Sequence, residues 1–184
     1  MVVAGVAAVA ISSVGGLTVW LGAGGVSMAF DSKRQRRILG RFATGVTVVT
    51  TDGPAGPHGM TANAFASLSL DPPLVLVAVD RRASMLEHLK GNGCFAVNIL
   101  RDDQEPLSFR FATPGPKSFV DLDVSTAVTG SPILPHTLAY LDCRVHEILP
   151  GGDHAIFVGE ILDGDERGGD PLLYFGGNYR RLVD

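Results

Sequence analysis

The segment Asp80-Arg-Arg-Ala-Ser84 has the residue types of an anion-binding site. It joins an apolar, strand-like run to the start of a short helix, where free backbone N–H groups and the helix dipole attract negative charge. Ser84 opens a capping-box pattern that ends at Glu87, so we expect it to cap the helix and bind a phosphate group. Arg81 or Arg82 adds positive charge, although a solvated arginine is the ordinary interpretation of either.

Two further hydroxyl groups, those of Ser67 and Ser69, alternate along an extended stretch. Alternate residues of a strand point to the same face, so both hydroxyls would be presented together. The alternative is that both serines face solvent in a loop.

Other chemistries find little support in the chain. It has no GxGxxG after a strand and no P-loop lysine, so a bound dinucleotide would not use a Rossmann device. Cys94 and Cys143 lack CxxC partners, which argues against zinc, and we expect two reduced, buried thiols, with a disulfide between them as the alternative. No convincing Ser/His/Asp group or metal cluster is present, so we predict no metal site.

The composition indicates one globular domain rich in turns. The 184 residues are 46% hydrophobic and 18% charged, with 23 glycines and 11 prolines. The net charge of −4 does not provide the basic surface that nucleic-acid binding requires. These values favour a turn-rich β architecture over a helical bundle.

Short strand-like runs dominate the secondary-structure pattern. Helices are expected at 31–43, capped by Asp31 or Ser32, at 84–90, and from a cap at Asp102 to about Ala112. The helices are too few for a parallel βαβ sheet, so we predict a mainly β fold built as a small antiparallel barrel. The expected strands are 46–51, 59–66, 74–79, 94–100, 138–148, 155–162 and 172–175.

Residues 1–30 form a charge-free, apolar extension that precedes the domain at 31–184. The extension is apolar enough for a membrane span, and the basic cluster after it would keep the domain in the cytoplasm. Met28, however, opens an ordinary cytosolic start. We therefore interpret residues 1–27 as an upstream start or added sequence, with a real anchor or an ordered extra element as the alternative.

Five motifs carry a family resemblance. They are Phe42-Ala-Thr-Gly-Val-Thr-Val-Val-Thr50, the run from Gly59 to Leu74, Phe95-Ala-Val-Asn-Ile-Leu100, Gly152-Asp-His-Ala-Ile-Phe-Val-Gly-Glu160 and the run from Pro171 to Arg180. Their order and spacing over residues 31–184 resemble the flavin reductase family with the FMN-binding split-barrel fold. These proteins are the small reductase partners of two-component flavin-dependent monooxygenases.

The resemblance implies a flavin, FMN or FAD, near the interface of a homodimer. The isoalloxazine ring would lie along Thr61, Ala62, Asn63 and Ala64, whose backbone groups and small side chains permit close approach. Ser67 and Ser69 would meet the ribityl chain or phosphate, and Arg82 with Ser84 the phosphate. The same motif series makes Leu68, Asn98 and Tyr179 candidate flavin-binding residues.

His154, in Gly-Asp-His, would lie in the nicotinamide site by the same resemblance. Its implied role is to position NADH or NADPH for hydride transfer from nicotinamide C4 to flavin N5. Read alone, it would be a surface turn residue. His58, His88, His136 and His146 show no ligand spacing and are treated as structural or solvated.

The function expected is therefore a cytoplasmic NAD(P)H-dependent flavin reductase that supplies reduced flavin to a partner monooxygenase. Two alternatives stay open. One is a split-barrel protein that holds flavin without nicotinamide activity, and the other is an oxidase of the pyridoxamine phosphate oxidase type. The Gly-Asp-His motif argues against both.

Overall fold

The structure is a computed structural model that describes residues 30–182. The interpretation of residues 1–27 lies outside this range. Within the described residues the chain divides into two units, with the boundary between Ile38 and Leu39. No helix within the described part is long and apolar enough to cross a membrane.

The first unit contributes most of helix α1, Ser32–Leu39. The carboxylate of Asp31 caps it by accepting hydrogen bonds from the backbone N–H groups of Lys33 and Arg34, each at 3.1 Å. The predicted cap is confirmed. The helix ends at Leu39 rather than at 43, because Gly40 follows it and glycine is a poor helix former.

The second unit is mainly β, as predicted. Its helices are α2 (Met85–Asn92) and α3 (Glu105–Ala112). Its strands are β1 (Thr44–Gly45), β2 (Thr47–Thr51), β3 (His58–Ala62), β4 (Phe65–Leu70), β5 (Pro73–Asp80), β6 (Cys94–Ile99), β7 (Ala139–Gly151), β8 (His154–Glu166), β9 (Leu173–Phe175) and β10 (Asn178–Arg180).

Seven strands form one antiparallel sheet in the order β3-β2-β6-β7-β8-β5-β4. The two ends of this sheet, β3 and β4, follow each other in the chain through Asn63 and Ala64. A single strand over 59–66 was therefore the wrong prediction, because the chain bends here to pass between the sheet ends. The sheet is the split-barrel arrangement, which confirms the fold class.

The main core lies between the inner faces of these strands and α2. On β5 the side chains of Val75, Val77 and Val79 are buried, while Leu74 and Leu76 on the other face are half-buried. A continuous apolar run such as Leu74–Val79 predicts a strand that is buried on both faces. The structure differs, because β5 is fully covered only on its inner face.

A small second sheet in the order β1-β9-β10 carries the C-terminal aromatic residues. It is tied to the main sheet at Val46, whose N–H donates to the Leu172 carbonyl at 3.1 Å and whose carbonyl accepts from the Leu100 N–H at 3.0 Å. A turn at Gly176 and Gly177, both with positive φ, joins β9 to β10. These contacts position Tyr174 and Tyr179 beside β3.

Two predicted boundaries need correction. Helix α3 begins at Glu105 with Gln104 as its cap residue, not at Asp102. The backbone N–H of Asp102 instead donates to the Asp170 carbonyl at 2.9 Å, so the chain is still bridging to the C-terminal segment there. Strands β7 and β8 are also longer than predicted, because they pair along their whole length.

Candidate active site

Two cavities lie in series along β3, the terminal strand of the main sheet, and a third adjoins the bend that follows it. The first, of about 410 Å³, lies beside His58–Met60, and the second, of about 240 Å³, beside Thr61–Asn63. The third, of about 330 Å³, shares Asn63 with the second. Ala112 lines both the first and the second. Strand β3 therefore offers one extended, concave surface.

The first cavity brings together the predicted phosphate residues Arg82 and Ser84. Two residues not predicted to belong to the site, His58 and Lys117, also line it. Arg82 is paired with Asp80 through hydrogen bonds of 3.1 and 2.7 Å. The cavity thus has several cationic or protonatable groups, which suits an anion.

Ser84 does not cap α2 in the predicted manner. Its backbone is already in the right-handed helical region, and its hydroxyl makes no capping hydrogen bond. Side-chain capping requires a non-helical cap residue, which is why the capping box fails here. The Ser84 Oγ lies instead 3.0 Å from His58 Nε2, at the wall of the cavity.

His58 begins β3, and its ring packs against α2. Its ring stacks on that of His88, with centroids 4.3 Å apart and planes 6° from parallel. Burial, followed by the nearby His88 and Lys117, lowers the pKa of His58. One sequence signal was available, since Ser84 and His88 are four residues apart and share a helix face.

The second cavity contains the predicted residues Thr61, Asn63 and Tyr179. The Thr61 hydroxyl donates to the Ser108 carbonyl at 2.7 Å, and the Ser108 and Tyr179 hydroxyls are 2.8 Å apart. Tyr179 also meets Tyr174 edge-on, with ring centroids 5.6 Å apart. These contacts fix an aromatic wall beside the exposed Asn63.

The two alanines of the predicted ring site have different surroundings. The Ala62 side chain is buried in the main core, whereas Ala64 is exposed in the bend after β3. The Ala64 carbonyl accepts a hydrogen bond from the Ala78 N–H at 3.0 Å. Ala62 nevertheless lines the second cavity, whereas Ala64 lines none of the three, so Ala62 is the alanine beside which a ring could lie.

Ser67, Leu68 and Ser69 lie on β4 and do not line these three cavities. Ser67 pairs with Val75 and Ser69 with Leu74, so Leu68 is the extra residue of a β-bulge. A bulge breaks the two-residue alternation on which the expected common face of the serines depended. The side chain of Leu68 is half-exposed.

Asn98 does not fit its predicted role as a flavin ligand. It is fully buried, and its amide donates to the Val48 carbonyl at 3.1 Å and the Thr50 hydroxyl at 3.0 Å. Its Oδ1 accepts from the Leu134 N–H at 2.8 Å. The Asn98 side chain thus links the segment around Leu134 to the sheet. This structural role accounts for an asparagine at this position of the motif.

We expect Asn98→Ala to lower the free energy of unfolding by about 1–3 kcal/mol, because buried partners such as the Leu134 N–H lose their hydrogen bonds. Denaturant unfolding measures this change. The control Asn178→Ala, at an exposed position, should stay within about 0.5 kcal/mol of the parent. Weaker flavin binding with unchanged stability would restore Asn98 as a ligand.

His154 begins β8, opposite Asp80 of β5. Its Nδ1 lies 2.7 Å from the Asp153 carboxylate, and this hydrogen bond lowers the pKa of Asp153. Arg81 fixes the turn before it, since its side chain donates to the Gly152 carbonyl at 3.0 Å and its backbone N–H to the Asp153 carbonyl at 3.0 Å. The imidazole is partly exposed and well oriented.

The register places His154 at one particular end of the sheet. It is level with Asp80, which leads into the segment of Arg82 and Ser84. Ser67 is level with Val75, five residues away along β5, which corresponds to roughly 17 Å in a strand. The structure therefore brings His154 to the Arg82–Ser84 end and not to the β4 serines.

The remaining candidate chemistry is limited. Within residues 30–182, no group of three or more His, Cys, Asp or Glu side chains could hold a metal ion. Both cysteines are free, Cys143 buried and Cys94 partly exposed. Burial raises the pKa of the Cys143 thiol to about 12, which leaves it protonated and unreactive.

Comparison with known proteins agrees with this geometry. The pattern of the family described as "Flavin reductase like domain" matches residues 39–183. The chain is 46% identical over 152 residues to the FMN reductase (NADH) SmoA of Agrobacterium fabrum, covering 83% of this chain and 87% of that one. It is 48% identical over 151 residues to the reductase component of 4-hydroxyphenylacetate 3-monooxygenase of Thermus thermophilus, covering 80% and 95%.

A solved structure gives the same result. The NADH:FAD oxidoreductase SgcE6 of Streptomyces globisporus, in complex with NAD and FAD fragments, superposes with a TM-score of 0.79. It is 39% identical in sequence, and the match covers 83% of this chain and 93% of that one. The extent of these matches leaves no doubt about ancestry. The chain belongs to the flavin reductase like domain family.

Proposed function

We propose that this protein is an NAD(P)H-dependent flavin reductase that transfers a hydride from NADH or NADPH to FMN or FAD. The observation that carries the proposal is the series of cavities along β3, which joins a cation-lined pocket to an aromatic-walled one. Relatives 46% and 48% identical are named as an NADH-dependent FMN reductase and as a monooxygenase reductase component.

The residues present fit a flavin. Its phosphate needs an anion site, which Ser84, Lys117 and the start of α2 offer in the first cavity. Its ring system needs a flat wall and backbone partners, which Tyr179 and the strand Thr61–Asn63 offer in the second. A flavin held there supplies the acceptor for the hydride of the reduced nicotinamide.

The protein's own part is binding and orientation. We assign to His154 the positioning of the nicotinamide, because its ring is partly exposed at a turn that Arg81 holds in place. The Asp153 carboxylate accepts a hydrogen bond from Nδ1–H, which leaves Nε2 to bond the nicotinamide amide in either state of the ring: a neutral ring accepts from the amide NH2 group, and a protonated ring donates to the amide carbonyl. No proton has to move at His154 in this role.

The test is direct. The purified protein is mixed with NADH or NADPH and with FMN or FAD, and the loss of the absorbance band of the reduced nicotinamide is followed. We expect rapid oxidation that requires both protein and flavin. Absence of oxidation with every combination, in a protein shown to be folded, would contradict the proposal and favour a flavin carrier.

The natural acceptor of the reduced flavin, by the same proposal, is a flavin-dependent monooxygenase, as the names of several relatives indicate. A homodimer is also proposed. It is supported by exposed apolar side chains on β4, Leu68 and Leu70, which a second copy would cover. A cytoplasmic location follows from the need for reduced nicotinamide.

A further inference from the structure

The first cavity contains a titratable side chain that the proposed hydride transfer does not use, that of His58. We propose that His58 takes up a proton when the phosphate group of a flavin enters this cavity, and that it thereby selects phosphorylated flavins over riboflavin. This inference rests on the proposed function and assigns a role to a residue that acts at a distance from the reacting atoms.

The position of His58 carries the first part of the argument. The residue is only 8% exposed, yet it lines the 410 Å³ cavity. Stacking on His88 fixes the plane of its ring, and the contact with the Ser84 hydroxyl fixes the direction of Nε2. A change of charge on this ring would therefore act on Ser84 and on any anion beside it.

The charges around the ring determine its protonation in the empty cavity. Lys117 faces it from the loop after α3, and its ammonium group donates to the neutral carbonyls of Arg110 and Thr113. His88 faces it from α2. Arg82, also at the cavity, is balanced by Asp80. Together with burial, Lys117 and His88 lower the pKa of His58, so the ring is neutral near pH 7.

An incoming phosphate reverses this balance. Its negative charge offsets Lys117 and favours the protonated imidazole, so a proton passes from solvent to His58 as the anion binds. No covalent bond forms or breaks. Riboflavin has the same ring system and ribityl chain but no phosphate. It brings no negative charge into the cavity, so the His58 ring stays neutral when riboflavin binds.

Protonation also reverses the hydrogen bond to Ser84. A neutral ring with its proton on Nδ1 accepts at Nε2 from the Ser84 hydroxyl, which then turns its oxygen lone pairs toward the cavity. A protonated ring donates from Nε2 to the Ser84 oxygen. The Ser84 hydroxyl proton is then free to donate to a phosphate oxygen, which adds a charge-assisted network to the site.

The experiment measures proton uptake by the full-length protein. FMN and riboflavin are each titrated calorimetrically at about pH 7 in two buffers of different ionisation enthalpy. The proteins compared are the wild type, His58→Gln and a matched control, His146→Gln, at an exposed position on β7. Because the phosphate of FMN itself titrates near pH 6, the contribution of His58 is the difference between wild type and His58→Gln.

We expect the wild type to take up roughly half a proton or more with FMN beyond the uptake of His58→Gln, because the His58 ring changes from mostly neutral to mostly protonated. FMN affinity should fall roughly 5–10-fold in His58→Gln, the loss of one charge-assisted contact. Riboflavin affinity should stay unchanged, and His146→Gln should behave as the wild type.

Equal proton uptake by the wild type and a folded His58→Gln would overturn the inference while leaving the reductase function intact. Failure of the wild type to bind either flavin would overturn both. If His58→Gln does not fold, a histidine NMR titration of the wild type decides. One ring must show a pKa that rises when FMN is added but not when riboflavin is added, and no such shift would refute the idea.

Discussion

His154→Ala is expected to slow reduction of the bound flavin by NADH on the order of 10²-fold, with flavin affinity within about twofold of the wild type. Hydride transfer tolerates little positional error, and a displacement of about 1 Å has a cost of this size. The alanine removes the ring that Asp153 orients at the start of β8. Single-turnover reduction of flavin-loaded protein gives the rate, and a flavin titration gives the affinity.

The control for this variant is His146→Ala, which removes an exposed imidazole from the neighbouring strand β7. It should reduce flavin at the wild-type rate. Because the proposed role requires no proton transfer, the ratio of the wild-type and His154→Ala rates should be the same at pH 6 and pH 8. Equal losses of rate and flavin affinity would move His154 into the flavin site, and no loss would leave it a turn residue.

Ser84→Asp should weaken FMN binding at least tenfold. The new carboxylate would face the phosphate in the first cavity, and two like charges a few ångströms apart near a protein surface repel by about 1–4 kcal/mol. It would also pair with His58, whose Nε2 already lies 3.0 Å from Oγ. Fluorescence titration with FMN and with riboflavin measures the effect, and riboflavin affinity should change little.

Two further variants make this result specific. Ser84→Ala should weaken FMN binding only several-fold and should leave the stability of α2 nearly unchanged, because Ser84 makes no capping hydrogen bond. Ser125→Asp places the same charge at an exposed site away from the cavity and should bind FMN normally. Unchanged FMN affinity in Ser84→Asp would exclude this phosphate site.

The sequence was sufficient for the features that depend on local patterns. Alternation and turn residues predicted a mainly β domain, and Asp31 was one of the two residues predicted to cap the first helix. The strand-to-helix segment Asp80–Ser84 could be predicted as an anion site, because free N–H groups at a helix start are a local property, and this assignment stays a prediction. Its arginine and serine do line a cavity.

The features missed depend on contacts between distant segments. The sequence motif predicts that Asn98 binds flavin. The pairing of β6 with β2 shows instead that its side-chain amide is hydrogen-bonded within the core. The role proposed for His58 depends on its contacts with Ser84 and His88, which become visible only when α2 packs against β3. A bulge at Leu68 likewise leaves no mark in the alternation of residue types.

The strand order has a consequence for how the chain folds. Strands β4 and β5 are synthesised early, but they join the main sheet only through the pairing of β5 with β8. Leu74, for example, pairs with Glu160, which is synthesised 86 residues later. Such non-local pairings slow folding, and during that time the apolar side of β5, with Val75 and Val77, lies open to other chains. We therefore expect nascent or refolding protein to aggregate readily until the hairpin of β7 and β8 has formed. Truncation before β8 should abolish solubility and should not yield a smaller stable domain.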